Sequence, residues 1–162
     1  MNTTKLKLTI VGICGLILVP TSVFAGSATL INDNSVLFTI DFSFTDELFD
    51  LKVPIAAEYG VTYLDRVDTV GYTVESEEAE GPKITDINAL VLSTTQIEDG
   101  KYNLEAGSTG DFTLVILATF AEALTQDYRA YITKLPYFID ERRTTVHQNQ
   151  LDDLEVPVLE VE

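Results

Sequence analysis

Residues 36–44, VLFTIDFSF, place Val36, Phe38, Ile40, Phe42 and Phe44 at every second position, with Thr39, Asp41 and Ser43 among those between. Successive side chains of an extended chain face opposite ways, so this spacing predicts a strand with one face in a core and the other toward solvent. The alternation returns in LFDLKVPI, where Phe49, Leu51, Val53 and Ile55 alternate with Asp50, Lys52 and Pro54. Pro54 lacks a ladder donor, which points to an edge strand or a strand end.

Further short strands are expected over 59–64, YGVTYL, and 67–74, VDTVGYTV, the second broken by Gly71 as at a bulge. The acidic run ESEEAEGP reads as an exposed loop, and INALVLSTT, residues 87–95, resumes β character. Asp99-Gly100 is a turn pair between two extended pieces. In AGSTG, residues 106–110, Gly107 and Gly110 are expected to take positive φ, reverse the chain and launch a strand over 111–120. One face of that strand carries Phe112, Leu114, Ile116, Ala118 and Phe120; Val115 and Leu117 make the other apolar too, which predicts cover on both faces at its centre. A last clear strand, YRAYITKL, ends at Pro136.

Helix signals are nearly absent; TFAEALTQ is long enough only for a loop or a single turn. About 7–9 short strands with Gly and Asp turns between them imply an all-β fold, an antiparallel β-sandwich, with a closed barrel as the alternative.

The ends bound the domain. Residues 1–25 carry Lys5 and Lys7, an apolar run from Leu8 to Val19, then Pro20 and small residues up to Ala25. This is the pattern of a signal peptide, and the run is short of the roughly 20 residues a spanning helix needs. Cleavage after Ala25 leaves 137 residues with no cysteine, so packing rather than disulfides must hold the fold. It also leaves eight basic against 26 acidic side chains, a formal charge of −18. Such a surface repels nucleic acid and anionic lipid. The expected division is a signal peptide over 1–25, a sandwich over 26–139, and a polar, acidic segment over 140–162 that forms a final strand or a tail.

The order of signals in YNLEAGSTGDFTLVILATF, followed by DYRAYITKL, resembles immunoglobulin-like modules of bacterial exported proteins, the CARDB kind among them. It is also similar to secreted proteins of small-genome environmental bacteria in which a strand such as VLFTIDFSF precedes one like Lys52-Val53-Pro54. The resemblance covers roughly residues 28–139 and implies an immunoglobulin-like sandwich acting at the cell surface or outside it. It transfers no catalytic residue.

The residues themselves assign no catalytic, cofactor-binding or metal position. His147, the single histidine, lies in the polar run RRTTVHQNQ, and Ser108 directly follows Gly107, so the G-x-S-x-G spacing is not met. Phosphate and dinucleotide fingerprints are missing from the sequence. Calcium is the one cofactor worth weighing, at Asp33 with Asn34, Asp65 with Asp68, Glu75–Glu80, or Asp152 with Asp153; none follows the spaced calcium-loop pattern. For carbohydrate, Tyr137 and Phe138 are the aromatic pair expected to be exposed.

The tail LEVPVLEVE alternates Leu154, Val156 and Val158 with polar or proline positions, and can pair with a sheet edge of its own molecule or a neighbour's. The expectation is thus a secreted or cell-surface, non-enzymatic protein with a structural, adhesive or protein-binding role, self-association by strand pairing included. The alternatives are a calcium- or carbohydrate-binding module, or a glycoside-active enzyme with two carboxylates in a cleft.

Overall fold

The alternating strand at 36–44 sits at the centre of the molecule. In the computed structural model, which describes residues 24–76 and 81–151, it belongs to β2 (Ser35–Thr45), preceded by β1 (Phe24–Asn32). Val36, Phe38, Ile40, Phe42 and Phe44 are all buried. Opposite them runs β9 (Thr109–Phe120), antiparallel and in uninterrupted register from Ser35↔Thr119 to Thr45↔Thr109. That register sets Phe42 against Phe112, Ile40 against Leu114 and Phe38 against Ile116, so one face of both strands is continuously apolar. Burying each such side chain contributes about 1.5–3 kcal/mol.

Around this pair the described residues form twelve strands in three sheets. Between β2 and β9 in sequence come β3 (Leu51–Pro54), β4 (Ala57–Tyr59), β5 (Val70–Ser76), β6 (Ile84–Ser93), β7 (Gln96–Glu98) and β8 (Lys101–Leu104). After β9 follow β10 (Tyr128–Lys134), β11 (Pro136–Ile139), β12 (Arg142–Thr145) and one helical turn, α1 (Gln148–Leu151). The largest layer has the order β1-β2-β9-β6; a three-stranded sheet runs β10-β5-β4 and a five-stranded one β12-β11-β3-β8-β7. Every pairing is antiparallel except β4 with β5.

Both smaller sheets pack on the same inner face of the four-stranded one. Tyr128 of β10 meets Phe120 of β9 at 4.6 Å between ring centres, at one end of the layer. At the other end Tyr137 of β11 meets Phe44 at 5.6 Å and Tyr102 of β8 meets Phe112 at 5.7 Å. The Tyr102 hydroxyl donates to the Val91 carbonyl oxygen at 2.9 Å, which satisfies a phenol that packing has removed from water. The result is an all-β sandwich with one hydrophobic core between its layers.

The strand count exceeds the expected seven to nine because β4, β7 and β12 have only three or four residues each, too few to show a period. Other expectations shift locally. Residues 59–64 are not a strand: Tyr59 ends β4, and Gly60 turns the chain at φ +74°. The next turn is fixed when Asp65 Oδ2 accepts from the Thr62 amide at 2.6 Å and from its hydroxyl at 2.8 Å. The second alternating segment shrinks to β3, because Asp46 Oδ1 accepts the Leu48 and Phe49 amides at 2.8 and 3.0 Å and holds 47–50 as a loop. Pro54 does end its strand. Of the two glycines in AGSTG, only Gly107 is left-handed, at φ +76°. Gly110 lies inside β9, where a Cβ would come within 2.9 Å of the Phe112 ring.

The Asp99-Gly100 turn joins β7 to β8, with φ of 49° and 73°, the double positive φ of a type I′ hairpin turn. Gly71 is needed for space: a Cβ there would lie 2.5 Å from the Val61 carbonyl oxygen. The register does break beside it, though the extra residue sits on β10, between Ile132 and Lys134. At the C-terminal side β12 pairs with β11, so the five-stranded sheet extends past residue 139. Residues 152–162, with the LEVPVLEVE tail, and residues 1–23 of the expected signal peptide lie outside the described residues.

Candidate functional site: the outer face and free edge of the four-stranded sheet

Period two has a second consequence for β2 and β9: whatever does not face the core faces outward together. Register across β2, β9 and β6 builds three outward rows, Leu37–Leu117–Asn88, Thr39–Val115–Leu90 and Asp41–Thr113–Leu92. Hydroxyl contacts confirm the orientation, since Ser27 Oγ lies 2.8 Å from Thr39 Oγ1 and the Thr113 hydroxyl donates to Asp41 Oδ1 at 2.6 Å. Leu37, Val115, Leu117, Leu90 and Leu92 thus form an apolar stripe bordered by hydroxyls and Asp41.

Cover on both faces of β9 was the expectation, and the described residues do not supply it on this side. Leu117 is 41 % exposed, Leu90 45 % and Leu92 49 %. Single exposed leucines are ordinary, but adjacent ones on β6 and β9, with the half-buried Val115 and Leu37 in register beside them, form a contiguous patch of the kind that marks a contact surface. The four strands of this layer contain no Lys or Arg, and only Asp41, Asp86 and Asp111 as acids.

The two edges of the sheet differ. Along β6 the outer backbone is partly engaged: the Val91 amide donates to the Ile55 carbonyl oxygen at 2.9 Å, and Ala56 bridges Leu90. Along β1 one side pairs with β2, and no described residue pairs with the other.

Lys134 and Asp65, by contrast, serve the fold. Lys134 is buried, and its ammonium donates to the carbonyl oxygens of Asp65 and Val67, both at 2.5 Å. With Thr133, whose hydroxyl donates to the Val61 carbonyl oxygen, it fastens loop 60–69 onto β10. Burial pushes the Lys134 ammonium below its ordinary value and the nearby Arg143 charge adds to this; Asp65, Asp68 and Glu58 pull it back. Asp65 is held below the usual carboxylate value by the Thr62 amide and hydroxyl.

Most groups singled out in the sequence as ligands have a local occupation where they are described, whereas the Asp33 side chain is exposed in its turn. Asp33 and Asn34 form the β1–β2 turn: the Asp33 carbonyl accepts the Leu124 amide, and Asn34 Nδ2 donates to the Phe120 carbonyl at 3.0 Å. Asp68 pairs with Arg143 at 3.0 Å, and Glu75 takes Arg129 and the Tyr131 hydroxyl. Among the described residues no three His, Cys, Asp or Glu side chains gather in one place to hold a metal. Residues 77–80 of the acidic loop and Asp152 with Asp153 lie outside the described residues. Ser108 sits in the turn before β9, its amide donating to the Glu105 carbonyl, and His147 is exposed beside α1.

One expectation is reversed. Tyr137 and Phe138 are 4 % and 5 % exposed, not an exposed pair. They lie on β11, between β12 and β3, where Tyr137 faces Phe44 and Phe138 lies under the Lys101 ammonium, 4.7 Å from its ring centre. Neither offers a free face for stacking on a sugar. Conversely, the outward stripe and the free β1 edge were missed as a site, although alternation in Leu37 and Leu117 carried the signal.

The class that this architecture defines is an all-β sandwich with an apolar sheet face that the described residues leave uncovered. No protein-family model matches the chain, and no curated protein matches it.

Proposed function

We propose that this protein is an exported, non-enzymatic β-sandwich module, immunoglobulin-like in kind, that acts at the cell surface or outside it by protein contact. The observation that carries this reading is the apolar stripe Leu37, Leu90, Leu92, Val115 and Leu117 on a sheet whose strands have no basic side chain. An apolar surface with acidic borders suits a neutral or basic protein and disfavours nucleic acid and anionic lipid. The signal-peptide pattern at 1–25 supports export, and a core sealed by aromatic rings across both ends of the sandwich supports a rigid scaffold.

The test is retention. The chain is expressed with its own leader in an exporting bacterial host and followed in cytoplasm, washed cells and medium. The expected result is export, with a fraction held on the cell surface. Replacing Leu90 and Leu117 together by serine should cost about 1 kcal/mol per site, so the sandwich still folds. The same change should weaken retention by about tenfold, which corresponds to about 1.4 kcal/mol of lost contact. Retention unaffected by the double variant, or a chain that stays in the cytoplasm, contradicts the proposal.

A further inference from the structure

A sheet edge offers alternating backbone donors and acceptors, which only another extended chain can satisfy in full. Most edges here are blunted. Strands β4 and β7 have three residues each and carry Glu58 and Glu98; β12 exposes Arg142 and Arg143. β10 carries Arg129 and Lys134 and lies against α1, and β6 is partly engaged by residues 55 and 56. β1 differs from all of them in charge, although its register with β2 breaks between Phe24 and Ser27 and between Leu30 and Asn32. The side chains of its sequence, FAGSATLIN, carry no charge and include no proline, and after the expected cleavage the one charge on the strand is the α-ammonium at its end, on Gly26.

From this we propose that β1 is the contact through which two copies of the chain associate, edge to edge and antiparallel about a two-fold axis at Thr29. The inference rests on the reading of the protein as a contact module and names a second copy of the chain as the partner. An antiparallel strand pair has its two-fold axis between directly opposed residues, so a strand can be its own complement. Centring on Thr29 places the pairing in the regular stretch Ser27–Leu30, between the register breaks at Phe24/Ser27 and Leu30/Asn32. It sets Thr29 opposite Thr29, and the 45 % exposed Leu30 beside the smaller, partly buried Ala28. Opposed hydroxyls already bridge strands in this sheet, at Thr45–Thr109 and Ser27–Thr39, both 2.8 Å.

Charge selects this edge for a like partner. Two copies each at −16, or −18 once the leader is removed, repel wherever their carboxylates meet. Pairing through β1 brings no charged side chain of either strand into the contact, and the joined sheets would extend in the order β6-β9-β2-β1-β1-β2-β9-β6 with their outward faces on one side. The acidic segment 152–162 of a neighbour is the competing occupant; it carries five acidic side chains, and no strand of this sheet has a Lys or Arg to receive them.

Sedimentation equilibrium of the full chain, purified after expression with its own leader, tests the assignment. The expected result is a reversible dimer that tightens as salt rises, because added ions screen the repulsion between copies. Thr29 is exposed, so Thr29→Lys and Thr29→Glu should both fold, as circular dichroism would show. Each should weaken the dimer by about tenfold or more, since like charges then stand directly opposite. An equimolar mixture of the two should restore a dimer containing one of each, seen by native mass spectrometry. Removing residues 152–162 should change nothing. A chain that stays monomeric, a dimer indifferent to both substitutions, or a dimer lost with the tail overturns the proposal. A monomer that is still retained at the cell surface through Leu90 and Leu117 removes the β1 pairing and leaves the contact module standing.

Discussion

Phe112→Ala is expected to lower the free energy of unfolding by about 3–5 kcal/mol, seen as a lower urea midpoint at unchanged slope. Phe112 is 2 % exposed and stands where the layers meet. Its ring stacks on Phe42 at 5.5 Å and 15°, and Phe44 and Tyr102 meet it near edge-on at 5.9 and 5.7 Å. An alanine would leave a space walled by three rings fixed on two strands of different sheets, β2 and β8, and such a site cannot easily collapse. The same truncation five residues on, Leu117→Ala, removes a side chain that is 41 % exposed and should cost under about 1 kcal/mol. A loss at Phe112 as small as that at Leu117 would mean that the inner and outer faces of β9 are wrongly assigned.

Alkali should destabilise the protein steeply. Burial, with the nearby Tyr59 adding, pushes the Tyr72 phenol up from 10.0 to about 12. Between those values the unfolded chain releases the proton while the folded chain keeps it, so the native state binds more protons and stability falls as pH rises. Two units correspond to at most about 3 kcal/mol lost by pH 12 through this group. Tyr128, Tyr131 and Tyr137 are raised as well, burial being the first cause in each case, and act in the same direction. Lys134 acts oppositely: its folded value lies below 10.5, so the native state sheds its proton first and gains stability as pH rises toward 10.5. The phenols are more numerous, and the net effect is a loss. Denaturant midpoints measured from pH 9 upward, with tyrosinate absorbance followed in parallel, should fall most steeply above pH 10, and less so in Tyr72→Phe. A midpoint that stays level to pH 12 would show that these hydroxyls are not buried.

The central pair β2 and β9 was legible because every second residue from Val36 to Phe44 and from Phe112 to Phe120 is apolar, and a strand translates that spacing directly into faces. The turn at Asp99-Gly100 was legible for an equally local reason. Strand β1 was not: ATLIN has no alternation, and it is ordered by the register that β2 imposes on it. Nor was β12, whose RRTT reads as a polar connection and becomes a strand only against β11. Tyr137 and Phe138 follow Pro136 and looked exposed on that ground; what buries them is β3 and β2, some 85–95 residues earlier in the chain. The outward stripe was half legible. Val115 and Leu117 announced an apolar outer face, but sequence cannot distinguish a face covered by its own chain from one left for another.

The central claim is that the face and free edge of the β1-β2-β9-β6 sheet are the working surface of this molecule. Hydrogen–deuterium exchange read by mass spectrometry, comparing free chain with chain held on the cell surface, tests it most directly. The account predicts that added protection is confined to residues 26–45, 84–93 and 109–120. Protection centred instead on the opposite layer, at residues 51–59 and 128–145, would contradict it.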